Sequence, residues 1–404
     1  MNNERLTILC LASHEKGADF LRALKEEGCR VLLLTREKEA TSAWPMEVVD
    51  ERFLLPNMHD QREIIHAVSY LARHIQIDAL VALDDLDVEM AAGLREHLRM
   101  SGMGSTTARR FRDKLAMRVQ AREAGIRVPA FVHALNHERM RHWMEATEPP
   151  WLLKPRSEAS SVGIKRIDSP DALWPTLDAL GDCASYYVLE QFVHGPVFHV
   201  DGLVWDGAMI FGEAHGYLAP PLSVMQGGGI FRSATLSRES RDSATLLALT
   251  QRLVVDEFGL ARGAFHTEWI KNEANGDFYF LETAARVGGA NLADMVQAAT
   301  GISLWREWAR LEVAALRGQP YTLPPRRHDY AAILISLARQ EWPDLSRYDA
   351  PEVRWRMQRR HHAGLIVASD DPRRIATLID AYTQRFIEEF VVALPPRDTL
   401  YDRE

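Results

Sequence analysis

Short apolar runs alternate with helix-period stretches along residues 1–105. LTILCLA, RVLLLT, RFLLP and DALVAL read as strands, and the segments His14 to Gly28 and Asp60 to His74 between them read as helices. That alternation predicts a small parallel sheet covered by helices. The pattern then changes. A helix is expected from about Thr106 to Ala124, stopped by Gly125 and kept from resuming by Pro129. WLLKP opens a new strand, and FHVDGLVW with AMIFGEAHGY, joined by Asp206-Gly207, predict a hairpin. A loop rich in Gly and Pro (Ala219 to Arg232) and a helix over roughly Ser240 to Phe258 lead to a second hairpin. Beyond Gly289 the periodicity is helical through Leu316, and Pro324-Pro325 punctuates it. The last stretch returns to mixed strand and helix, with GLIVAS preceding a long amphipathic helix that ends near Phe390.

The second hairpin, GAFHTEWIKNEANGDFYFLETAARVGGANL, carries the most chemistry. Side chains alternate along a strand, so loop length decides whether Glu268 and Glu282 share a face. A two-residue Asn275-Gly276 turn puts them on opposite faces. A three-residue loop, Ala274 to Gly276 with Gly276 left-handed, pairs Glu273 with Asp277 and sets Glu268 across from Glu282. A bulge does the same. Arg286, four residues after Glu282, then points the same way while the strand lasts. One cation and two facing anions suggest a metal-nucleotide site.

At 404 residues the chain is too long for one ordinary core, so two or three domains are expected. Its 47% apolar and 26% charged residues are those of a soluble globular protein. A net charge of -8 argues against nucleic acid as the main partner, although a local basic cleft is compatible with it. Cys10, Cys29 and Cys183 have neither disulfide-framework nor zinc-ligand spacing, which suits a reducing cytoplasm. Leu6 to Ala12 reads as a first strand and not as a signal peptide, and no run approaches membrane-spanning length. The first turn, SHEKGADF, lacks GxGxxG, so a dinucleotide site is unsupported. The acidic DDLDVE at Asp84 to Glu89 ends the fourth strand, where it either contacts substrate or caps the next helix.

Several basic and polar residues extend the site. Lys114 at a helix start can reach an α-phosphate, with a solvated helix lysine as the plain alternative. Lys154 ends an apolar strand, where an ammonium is costly unless it meets an anion. His199 and Asp201 in FHVDG share a face by period 2. PPLSVMQGGGIFRS is either a lid carrying Arg232 to the substrate or an ordinary flexible loop. His361-His362 lacks metal-ligand partners and reads as a surface pair.

Taken in order, these segments resemble the ATP-grasp superfamily over most of residues 1–325, in its carboxylate-amine ligase type, with biotin carboxylase a more distant relative. The resemblance implies an α/β (α+β) fold in three parts: a pre-ATP-grasp α/β domain at 1–105, a two-lobed ATP-grasp domain with antiparallel sheets at 106–325, and a C-terminal α+β segment at 326–404 packing on the core. Lys114 and Lys154 correspond to the two nucleotide lysines. Ser160 and Ser161 stand in a phosphate-covering loop where relatives rely on glycines. YYVLEQFVHG matches the adenine hinge, with Glu190 accepting from the purine amine region and Val193 offering its amide. His199 and Asp201 would line the nucleotide site, and Val197 replaces a ribose-binding glutamate of many relatives. Glu268 and Glu282 are carried over as magnesium ligands, hard oxygens suiting that ion. Ala284 stands where many relatives have asparagine, so Glu282 bridges two ions or a water fills the gap. Arg286 matches the arginine that holds the acyl phosphate. Gly288 and Gly289 would let a substrate carboxylate or phosphate approach the backbone.

The implied activity is ATP-dependent joining of a carboxylate, an amino acid or small peptide-like acid, to an amine through an acyl phosphate. ATP and Mg2+ (or Mn2+) are the implied cofactors. Small-molecule acid and amine are the expected partners, with no nucleic acid, no membrane, and a homodimer kept open. Two rivals are a carboxylase-type member using bicarbonate and a nucleotide-binding protein without turnover.

Overall fold

Three sheets organise the chain in the computed structural model, which describes residues 5–159 and 161–392. The first contains β1 (Thr7–Ala12), β2 (Arg30–Arg36), β3 (Glu51–Leu55) and β4 (Ala79–Ala82) in the order β3-β2-β1-β4, all parallel. Every residue of β1 is buried, as befits a strand covered on both faces. Its polar groups gather at the carboxyl edge, where Ser13, His14, Asp84 and Asp87 bond to one another across the strand ends.

The helix expected over Thr106 to Ala124 is two helices, Ser105–Arg110 and Lys114–Glu123. Asp113 causes the break: its backbone is extended, and its carboxylate accepts from Leu115 N at 2.9 Å and Ala116 N at 3.4 Å. An N-cap there stabilises the new helix start and places Lys114 in its first turn.

A small lobe follows, with β5 (Phe131–His133), β6 (Trp151–Pro155), β7 (Lys165–Ile167) and β8 (Tyr187–Gln191) in the antiparallel order β5-β8-β6-β7. Alternation along β6 sends Trp151 and Leu153 into the lobe's core. Leu152 and Lys154 therefore face the other way, into a cleft.

The third sheet has eight strands: β9 (Val197–Trp205), β10 (Ala208–Tyr217), β11 (Ile230–Thr235), β12 (Gly263–Lys271), β13 (Phe278–Ala284), β14 (Tyr330–Leu337), β15 (Val353–Arg356) and β16 (His362–Ser369). Their order is β13-β12-β9-β10-β11-β14-β16-β15, so the strands after residue 326 extend the central sheet through the β11–β14 pair. Asp206 and Gly207, both left-handed, turn β9 into β10 as their residue types demand. The expected loop Ala219 to Arg232 holds a helix, Pro221–Gly227, and then β11. The helix expected over Ser240 to Phe258 is α-helical at Arg241–Thr250 and winds on as a wider π turn over Gln251–Glu257.

The decisive hairpin is β12–β13. Its loop is not the expected three residues: Lys271 pairs with Phe278, and Asn272 N donates to Asp277 O at 2.9 Å, which leaves the even loop Glu273 to Gly276. Parity is restored farther along. Trp269 pairs with Phe280 but Glu268 pairs with Glu282, so Leu281 is an extra residue, a bulge. The two glutamates end directly across from each other.

Candidate active site

Between the small lobe and the eight-stranded sheet lies a cavity of about 330 Å³, within the range of small-molecule sites. Leu152 and Val162 on one side and Ile270 and Leu281 on the other make its walls apolar, and the linker Gln191 to Gly195 forms one edge. Pro220 to Ser223, at the start of the helix Pro221–Gly227, also lines it, so the segment expected as a lid does border the cleft. Gly195 fixes the linker against β12: a Cβ there would come within 1.9 Å of Lys271 O, and its φ of 152° is one that L side chains avoid. No other residue type allows that approach.

Lys114, Lys154, Glu268 and Glu282 converge on the polar end of this cavity. Lys114 Nζ donates to Glu158 O at 2.6 Å and pairs with Glu282 Oε2 at 3.0 Å. Burial alone would raise the Glu282 pKa, but Lys114, Lys154 and His266 together hold it at about 2. Glu268 accepts from the Tyr217 hydroxyl at 2.7 Å. Val193 and Ser161 line the cavity too, Ser161 with a left-handed φ of 58°, whereas Ser160 lies outside the described residues.

Five expected positions differ in what their atoms meet. The Glu190 carboxylate is fully buried in the lobe, held by Arg118 and by Lys154 Nζ at 2.7 Å, and it does not line the cavity. Nothing in the sequence marked Arg118 as its partner. His199 and Asp201, expected as lining residues, are completely enclosed behind the acids. There they form a chain: Ser233 Oγ to His199 Nε2 at 2.7 Å, His199 Nδ1 to Asp201 Oδ2 at 2.6 Å, and Asp201 Oδ1 to His266 Nδ1 at 2.9 Å. Burial opposes the charge of its three ionisable members. Nevertheless the two histidines keep Asp201 far below the usual carboxylate range, and Asp201 with Glu268 pushes His266 up to about 10. His199 goes the other way, lowered by burial. His266 is two residues from Glu268, a period-2 relation readable in the sequence. Tyr217 and Ser233 arrive from other strands and left no such signal.

Gly288 leaves room for this chain, because a Cβ there would sit 2.6 Å from Asp201 Oδ1 and 3.0 Å from His266 Nδ1. Gly289 is open, with nothing within 4 Å of an added Cβ. Arg232 also departs from expectation. Ser233 faces His199, so its neighbour on β11 faces away, and Arg232 reaches Thr383 Oγ1 at 3.3 Å and Leu218 O at 3.4 Å. Arg286 stays with the site. It lines a small second cavity with Asp85, Arg112, His266, Lys114 and Glu282, and its Nη2 lies 3.7 Å from Asp85 Oδ2. The DDLDVE segment thus divides: Asp84 pairs with Lys16 and His14, Asp87 bonds Ser13, and Asp85 turns towards the two arginines.

No family model matches the chain. An L-arginine-specific L-amino acid ligase of Bacillus subtilis is 27% identical over 254 residues, covering 61% of this chain and 60% of that protein. An L-amino acid ligase from Bacillus licheniformis superposes with a TM-score of 0.72 at 18% identity, over 97% of this chain and 99% of that one. An N5-carboxyaminoimidazole synthetase from Staphylococcus aureus, complexed with ADP, superposes equally well at 0.72, with 15% identity over 95% and 99%. This chain has the ATP-grasp fold. It spans about 60% of the length of the first curated relative it matches. Both lysines and both glutamates meet in the cleft between the small lobe and the large sheet. Among the described residues no helix is long and apolar enough to cross a membrane.

Proposed function

We propose that the protein is an ATP-dependent ligase that joins a carboxylate to an amine, with an amino acid or small peptide as the acid. The observation that carries the reading is the convergence of Lys114, Lys154, Glu268 and Glu282 on one end of an apolar cavity, with Arg286 adjoining them. The apolar slot between Leu152, Val162 and Leu281 suits a purine. Val193 would offer its amide there, and Lys114 and Lys154 would neutralise phosphates. Glu268 and Glu282 are hard oxygen donors facing each other on paired strands, a donor set that fits magnesium, and manganese with it. When bound, the ion neutralises phosphate charge.

A carboxylate oxygen of the acid attacks the γ-phosphorus and ADP departs. The amine nitrogen then attacks the acyl carbon, phosphate leaves, and the amine gives up its proton. Arg286, permanently charged and forked, would hold the acyl phosphate. Such transfers depend on positioning and charge neutralisation, so no Ser/His or Cys/His nucleophile is required. The acyl phosphate must be kept from water, a task suited to the segment Pro220 to Ser223. Residues 1–105, 106–325 and 326–404 are taken as its pre-grasp, grasp and C-terminal units. A cytoplasmic location belongs to the same reading; a homodimer is a matter for light scattering.

Two variants test it. Lys154→Ala should weaken nucleotide binding and abolish every partial reaction. Arg286→Met should bind magnesium-ATP nearly as the wild type does by calorimetry while ADP formation with acid and amine collapses, because its contribution belongs to the transition state. The reverse pattern overturns the assignment. ADP release that depends on bicarbonate would favour a carboxylase instead, and ATP binding without release across a broad acid and amine panel would favour a protein without turnover.

A further inference from the structure

We propose that Tyr217 is a positioning residue for the divalent metal, taking one carboxylate oxygen of Glu268 and leaving the other to the ion. This rests on the reading of Glu268 and Glu282 as metal ligands. The Tyr217 hydroxyl lies 2.7 Å from Glu268 Oε1, and His266 Nε2 lies 3.5 Å from the same atom. The phenol donates this bond, so its direction is set. Both neighbours engage one oxygen, and no described residue bonds the second.

The arrangement is closely packed. Tyr217 is 9% exposed, with its ring 4.6 Å from that of His199 and 5.6 Å from that of Phe231. His266 is backed by Asp201 at 2.9 Å, and the glycine at position 288 leaves room for that pair. Glu282 repeats the pattern, since Lys114 pairs with its Oε2 at 3.0 Å. Each acid therefore presents a single oxygen. Two single-oxygen ligands suit magnesium or manganese, which take one or two carboxylates and keep the remaining octahedral positions for water and phosphate. Calcium, which accepts bidentate carboxylates and more ligands, is disfavoured by the same capping. Tyr217 thus sets both the affinity and the choice of ion.

The test is Mn2+ binding followed by electron paramagnetic resonance in the presence of ADP, with Ca2+ as competitor. Tyr217→Phe should weaken Mn2+ binding by about 10- to 100-fold, the usual cost of losing an outer partner of a metal ligand. Calcium should compete better than in the wild type, and ADP affinity without metal should be unchanged. Glu282→Gln should lose Mn2+ as well. If Tyr217→Phe binds Mn2+ like the wild type while Glu282→Gln does not, the inference falls and the metal clamp stands. If Glu282→Gln binds Mn2+ normally, the clamp itself falls and the inference with it. A metal-free loss of ADP affinity in Tyr217→Phe would make the tyrosine a wall of the cleft and overturn its positioning role. Should Tyr217→Phe fail to fold, His266→Asn, too short to reach Glu268, should weaken Mn2+ in the same direction. Wild-type binding there overturns the proposal.

Discussion

Glu190 and Glu282 are both strand carboxylates beside a lysine, yet they have been made into different things. Glu190 Oε2 accepts from Arg118 Nη2 at 3.1 Å and meets Lys154 Nζ at 2.7 Å, Oε1 lies 2.9 Å from Arg118 Nε as an ion pair without hydrogen-bond alignment, and neither the glutamate nor the arginine is exposed. Glu282 meets Lys114 through one oxygen, and its side chain is 33% exposed to the cleft. A buried charge must be paired with an opposite charge or the fold is destabilised. A carboxylate with an oxygen left over belongs at an opening, where a cation or ligand completes it. Asp87 shows a third solution. It is buried and accepts from the hydroxyl and amide of Ser13, and burial with the nearby Asp84 charge pushes it up to about 7.

The contrast can be broken by experiment. Glu190→Gln leaves Arg118 and Lys154 without their anion, and should cost about 3–5 kcal/mol in denaturant unfolding. Replacing Arg118 and Glu190 together by apolar residues should cost much less. If Glu190→Gln is neutral, the enclosed carboxylate is not structural. Glu282→Gln should do the converse, lowering ADP release by about 10² to 10³-fold with little change in melting temperature. Near-normal turnover with magnesium would remove Glu282 from the clamp.

Asp87 gives the comparison a pH signature. The folded protein keeps a proton on it that the unfolded chain releases, so stability should fall as pH rises from the ordinary value of 3.8 through about 7. Asp87→Asn should flatten that limb of a stability-versus-pH curve, and an unchanged limb would show that Asp87 is ionised in the fold. Gly288→Ala tests the enclosed chain behind the acids: its methyl meets Asp201, and overpacking of this kind costs about 1–3 kcal/mol. A wild-type melting temperature would mean that the chain yields. The smallest effect belongs to an open pair. Arg127 and Asp277 approach to 3.2 Å at 57% and 40% exposure, and Asp277→Asn should change unfolding free energy by at most about 1 kcal/mol.

Much of the site was legible because strand parity is counted along one chain. Lys154 pointing opposite to Leu153, the bond between His199 and Asp201, and the nearness of His266 to Glu268 all follow from period 2. The facing of Glu268 and Glu282 was legible only as a condition on the hairpin. The sequence offered an odd loop or a bulge, and the chain took the bulge at Leu281 with an even loop. Glu190 was misplaced because its partner Arg118 lies on a helix far along the chain, and no local pattern announces that pairing.

By itself the sequence determined the parallel first sheet, the Asp206-Gly207 turn, the grouping of two lysines and two glutamates, and the resemblance to the ATP-grasp fold. Each follows from residue type, local spacing or the order of segments along one chain. Only the tertiary structure decided which oxygens remain open. Tyr217, Ser233, His199 and Glu268 sit on four strands, and sheet order set them side by side on one face. Gly288 and Arg232 were decided the same way, one by the room Asp201 requires and the other by the face of β11 on which it falls. The physical reason is common to all of them: a hydrogen bond or a steric limit depends on the nearest atom in space, and in a sheet of crossing strands that atom is rarely near in sequence.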